Sequence, residues 1–196
     1  MLFGSSRWSR YAALVWATWQ EWGHVLLVSI VAVPVAVGVV VGLARWRVDR
    51  GCDAAVAWRH SLAEVGMVVG TVPWLWMILT PRDAAGGVHL LPLRDLTTQL
   101  SADLGVVLAQ VGGNLLAFAA FGALAPLRFR SLAHLPRIVG LAAAGSLAVE
   151  ALQYGLALGR VSSIDDVLLN TAGAALAGLL TRRWWAGDRR TSSGGG

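Results

Sequence analysis

Five runs of mostly apolar residues punctuate the chain, at positions 25–44, 62–80, 105–127, 138–158 and 166–181. A membrane-crossing helix takes about 20 such residues, within a range of about 17–25; the fifth run is the shortest. In lipid a chain must satisfy its own backbone hydrogen bonds, so each run predicts a helix. The expected fold is all-α, a polytopic transmembrane helical bundle of about five spans. Pro73, inside the second run, should bend that helix, and Trp74 and Trp76 near its end fit an aromatic belt. Residues 1–24 break the pattern, because Trp8, Trp16, Trp19 and Trp22 alternate there with charges. They predict an interfacial amphipathic helix ahead of the bundle. A cleaved signal fits less well, since the apolar run begins only behind Glu21 and His24. Residues 182–196 carry arginines and no apolar periodicity and are expected to form a disordered basic tail.

Composition removes the soluble alternatives. The chain is 56% hydrophobic and 14% charged, where a soluble domain has about 25% charged residues. The formal charge is +5, and every basic residue is an arginine. These arginines sit in short clusters between the apolar runs, which suits membrane insertion and argues against nucleic acid as a partner. Eleven of the sixteen fall in the loops after the first and third runs and in the tail. The positive-inside rule places those segments in the cytoplasm, with the N-terminus outside the cell membrane and the C-terminus inside. One cysteine, Cys52, excludes an internal disulfide framework and is expected to be inert. No metal-ligand or cofactor pattern is apparent, so neither is expected.

Polar side chains inside spans are costly and usually face the bundle interior. Asn114, Glu150, Gln153 and Asn170 lie within the apolar runs, and Asp165 and Asp166 open the fifth. At about 1.5 Å per residue, Glu150 lies in the outer half of the fourth span, and Gln153 sits one turn further on the same face. Asn170 lies one turn below Asp166, and Asn114 is near mid-depth. Together with Arg82, His89, Arg94 and Arg160 in the outer loops, they are the candidates for one polar pocket open to the outside. Each also has a structural reading. Ser163 and Asp166 fit a helix-start box with Ser163 as N-cap. Asn114 and Asn170 would serve as interhelical hydrogen bonds. Glu150 would form an ion pair with Arg160 or another arginine, and Gly173 and Gly178 would allow close helix approach. The loop 81–103, with Gly86, Gly87 and Pro92, is long for a small bundle, and such loops often carry function.

The segment EALQYGLALGRVSSIDDVLLNTAGAALAG resembles the signature of the VanZ-like family, E-x-x-Q followed by G-R and a D-h-h-x-N-x-x-G helix, where h is apolar. Glu150, Gln153, Gly159, Arg160, Asp166, Asn170 and Gly173 match in turn. GGNLLAFAAFGALAPL resembles the family's N-h-h-x-F-h-P-h-G helix through Asn114, Phe118 and Gly122, with Ala120 where proline is common. LTPRDAAGGVHLLPL resembles a family loop ending in N-h-h-P-h, with His89 in place of asparagine and Pro92 matching. The resemblance covers about residues 75–181 and implies a bacterial envelope membrane protein of the kind linked to low-level teicoplanin resistance. It names no reaction.

Three functions therefore stand as expectations. The first is a non-enzymatic envelope protein that binds a lipid-linked cell-wall intermediate, a glycopeptide or another amphiphile at the outer pocket. The second is an intramembrane enzyme on a lipid-linked substrate, with Glu150 or Asp166 as acid or base and Arg160 on an anionic group. The third is a small proton-coupled transporter. No H-E-x-x-H, G-x-S-x-G or P-loop supports the second, and no inverted repeat supports the third. Membrane lipid is the expected surrounding partner, and a homodimer would supply the size that a small bundle lacks.

Overall fold

The structure, a computed structural model, describes residues 7–101 and 104–185. Five stretches are long and apolar enough to cross a membrane: Gly23–Asp49, Ala54–Leu79, Val107–Arg128, Leu135–Gly155 and Ile164–Trp184. The chain is a multi-pass helical membrane protein. Valine, leucine and isoleucine side chains remain exposed along every span, as expected where the surrounding solvent is lipid rather than water.

Helix α1 runs without interruption over Arg7–Asp49 and so joins the Trp-rich segment to the first span. It packs chiefly against α2, Ala54–Leu79, which starts at an Asp53 N-cap and continues through Pro73. The expected third helix is two helices, α4 (Leu104–Ala117) and α5 (Ala119–Arg128), following the short α3 (Arg94–Leu100). The break falls at Phe118, with φ −111° and ψ 5°. Neither proline nor glycine causes it. The Phe118 ring lies buried against Gly145 of α6 (Leu135–Gly155), and after the break α5 packs on both α2 and α7 (Ile164–Thr181). Within the segment expected as a disordered tail, Arg182–Trp184 form a 3-10 turn and Trp185 is buried in the core. The remainder of that tail, 186–196, lies outside the described residues.

Two short strands, β1 (Gly87–His89) and β2 (Val161–Ser163), were not expected. They pair in parallel, with His89 opposite Ser163. Gly159 makes the turn into β2 possible, at φ +64° with the Arg82 and Ala84 carbonyls too close for a side chain. With α3, the strands roof one end of the bundle. The opposite end carries Arg47 and Arg128, which both bind the Glu64 carboxylate, Arg47 at 2.5 Å. That bridge ties α1, α2 and α5 together.

Helix–helix contact in lipid depends on close backbone approach. A Cβ at Gly173 of α7 would overlap the Leu115 carbonyl of α4, and one at Gly122 of α5 would overlap the Ala174 carbonyl of α7. Across the other face of α5, a Cβ at Gly70 would lie 2.5 Å from the Ala120 Cβ. Gly173→Ala is therefore expected to cost about 1–3 kcal/mol, the range for overpacking. Gly140→Ala, where the added carbon meets nothing within 4 Å, should stay within about 0.5 kcal/mol. Reversible unfolding of both variants in mixed micelles checks the contrast.

Candidate functional site

The sequence LGRVSSIDD turns the chain from α6 into α7 beneath the roof. Ser163 is the N-cap of α7, and its Oγ accepts from the Asp165 N–H at 3.2 Å. Half of the helix-start box is thus present. Asp166 does not complete it. The Ser163 N–H donates instead to Glu150 Oε2 at 3.0 Å, and Asp166 Oδ1 accepts from Asn114 Nδ2 at 2.5 Å. The carboxylate that caps α7 comes from α6, which leaves Asp166 to join α7 to α4.

Asp165 has a different task. Its carboxylate is 1% exposed and accepts three backbone N–H groups, from Leu93 at 2.5 Å, Asp95 at 2.9 Å and Leu96 at 3.0 Å. It therefore caps α3 and holds Leu93 at φ 66°, a conformation that a branched side chain seldom adopts. A charged acceptor on a helix start also meets the positive end of the helix dipole. Asp95 in turn accepts from the Ser163 hydroxyl at 2.6 Å and lies 2.7 Å from His89 Nδ1. Burial raises the Asp95 pKa, but the hydrogen bonds from Ser163 and His89 outweigh it and hold the group below the usual carboxylate range.

Arg160 binds the end of α2. Its Nη2 donates to the Met77 carbonyl at 2.7 Å and its Nε to the Thr80 carbonyl at 3.3 Å, carbonyls that a helix C-terminus leaves without intrahelical partners. From there its charge is felt by both Glu150 and Asp166, and Glu150 also feels the charge of Asp166. Gln153 Nε2 donates to the Ile78 carbonyl at 2.9 Å, so α6 grips the same end of α2. Asn170 lies deeper, 2% exposed, and donates to Ser146 Oγ of α6 at 2.8 Å. Gln153 Oε1 and Asn170 Oδ1 are buried without a hydrogen-bond partner among the described residues.

The structure therefore gathers Asn114, Glu150, Arg160, Asp166 and the roof residues Asp165 and His89 around the start of α7. Arg82 and Arg94 are exposed in the roof; the Arg82 N–H donates to the Leu158 carbonyl, which fastens the loop to the end of α6. Asn170 and Gln153 flank the cluster through separate bonds. Asp95, Ser146 and Ser162, whose hydroxyl donates to the Glu150 carbonyl at 3.1 Å, were missed in the sequence. Nothing in the order of residues marks Asp95 as the partner of Ser163, 68 positions away. Glu64 was missed as well, although a lone acid in an apolar run near arginine-rich loops was a visible signal.

A family model described as VanZ/LLP1 matches residues 67–185, more than half of the chain. The chain belongs to the VanZ/LLP1 family. No curated protein and no solved structure matches it. The VanZ/LLP1 match begins inside α2 and ends at Trp185, so it takes in the whole polar cluster, the roof and the broken α4–α5 span, and leaves out α1.

Asp165→Asn would remove the charge and one of the two acceptor oxygens, so that at least one of the three N–H groups, Leu93 on Oδ1 or Asp95 and Leu96 on Oδ2, faces the amide NH2. Hydrogen bonds to charged groups are worth about 1.5–3 kcal/mol, so the amides of Leu93, Asp95 and Leu96 should exchange at least ~10-fold faster. Hydrogen–deuterium exchange of the roof against α6 as internal reference checks it.

Proposed function

We propose that the cluster at the start of α7 binds the polar head of an amphiphilic, lipid-linked envelope ligand on the extracytoplasmic side of the cell membrane. The arginine-rich end, with the C-terminus, then faces the cytoplasm. The observation that carries this reading is how the four carboxylates are used. Asp165 and Asp95 are spent on the roof, Asp165 on backbone N–H groups and Asp95 on Ser163 and His89. Glu150 and Asp166 each use one oxygen in the bonds to Ser163 and Asn114, and both side chains are only partly buried. Each carboxylate has a second oxygen that accepts no side-chain or backbone hydrogen bond among the described residues, at the level where a span meets the headgroups. Ionisable groups held at such a depth are expensive unless they work.

Glu150 is bonded to the Ser163 N–H, one turn before Asp166, whose charge it feels, and this favours a second reading, an acid–base pair acting on a lipid-linked substrate. Altered tolerance to teicoplanin-type glycopeptides follows from either reading, through the ligand taken from or modified in the envelope.

Glu150→Gln keeps shape and one acceptor for the Ser163 N–H, and should leave the protein in the membrane at near-normal level. Loss of a charged hydrogen-bond partner should lower retention of the native amphiphile about 10-fold or more. Mass spectrometry of lipids that co-purify with the two proteins from the native membrane reads this directly. Equal retention by the variant would reduce Glu150 to a capping residue. Turnover of a radiolabelled lipid pool by the purified wild type, absent in Glu150→Gln, would select the enzyme.

A further inference from the structure

At the opposite end of the bundle, roughly 22 Å along α6 from Glu150, a cavity of about 550 Å³ opens between the turn after α5 and the end of α7. Arg130 and His134 reach it from the turn, Leu135 from the start of α6, and Leu179, Arg182 and Trp185 from the end of α7. Two of these residues are permanent cations from separate segments, and no carboxylate among the described residues lines the space.

Two further features point to an anion there. His134 is the N-cap of α6 and makes no side-chain cap, which leaves the positive end of that helix dipole without a negative partner from its cap. The fourth span begins at Leu135 and the fifth ends at Trp184, so the cavity sits at the level of lipid headgroups. Leu135 and Leu179 give it an apolar side that a free phosphate ion would not need.

We propose that this cavity is a second binding site, one that takes the phosphate of an anionic membrane lipid. The Arg130 and Arg182 guanidiniums meet the phosphate oxygens, and the first acyl carbons lie against Leu135 and Leu179. The site is independent of the ligand at the other end of the bundle.

The full chain in mixed micelles, offered equal phosphatidylglycerol and phosphatidylcholine of matched acyl chains, tests this by native mass spectrometry of the lipid retained. The wild type should retain phosphatidylglycerol preferentially. Each arginine near the surface is worth about fivefold, so Arg130→Gln with Arg182→Gln should reduce that retention about 30-fold. Both arginines are exposed, so their loss does not threaten the fold. Arg137, at the same end but bonded to the Ser131 carbonyl at 2.6 Å, lies outside the cavity, and Arg137→Gln should leave the preference in place. Equal retention of the two lipids by the wild type, or unchanged phosphatidylglycerol retention in the double arginine variant, would overturn the site. Displacement of phosphatidylglycerol by millimolar inorganic phosphate would reassign it to the free ion and overturn the lipid.

Discussion

A polar group inside a bilayer has only the protein to bond to, because lipid offers neither donor nor acceptor. Most of this structure follows from how the groups at the start of α7 meet that constraint. Ser163 begins the helix, and Glu150 reaches across from α6 to take its N–H. Asp165 faces outward and spends its charge on three amides of α3. Asp166, one residue on, faces inward and takes the Asn114 amide. Bonds from three residues within one helical turn, Ser163, Asp165 and Asp166, tie α7 to α6, to the roof and to α4.

Close backbone approach makes these bonds geometrically available. Asn114 can reach Asp166 because Gly173 lets the Leu115 carbonyl come against α7, and Gly122 does the same for α5 two turns later. The interruption at Phe118 separates the two approaches and gives α4 and α5 different directions along α7. At the roof, Gly159 lets the loop after α2 cross over the end of α6, which brings Arg160 onto the last carbonyls of α2. Fold and site are therefore not separable here: the same glycines and carboxylates build both.

The number of spans was legible in the sequence because hydropathy alone decides it; the five apolar runs and the five spans coincide apart from their ends. The N-cap at Ser163 was legible too, since it is local. The partners of the acids were not. The box S-x-x-D pointed Asp166 at Ser163, but Glu150, thirteen residues earlier, takes that place, and a contact between two helices leaves no trace in local spacing. Arg160 invited pairing with the nearest acid, and the carbonyls it holds are about 80 residues away. The β1–β2 pair was invisible for a similar reason: three-residue strands carry no periodicity, and their pairing is set by Gly86 and Gly159 at their edges. The break at Phe118 lacks the proline or glycine that would have announced it.

Within the VanZ/LLP1 family frame, these bonds divide the acids of the cluster into two that hold the roof and two, Glu150 and Asp166, that tie α7 to its neighbours through Ser163 and Asn114. The division rests on Asp166 being bound to Asn114 rather than capping its own helix. A double-mutant cycle of Asn114→Leu and Asp166→Leu, read by reversible unfolding in bicelles, tests it most directly. The account expects the double variant to lose less than the sum of the singles, with a coupling of about 0.6 kcal/mol or more, the average for hydrogen bonds between membrane helices. Single effects that add to within about 0.3 kcal/mol would mean that the two side chains do not meet, and would contradict the arrangement on which the site is built.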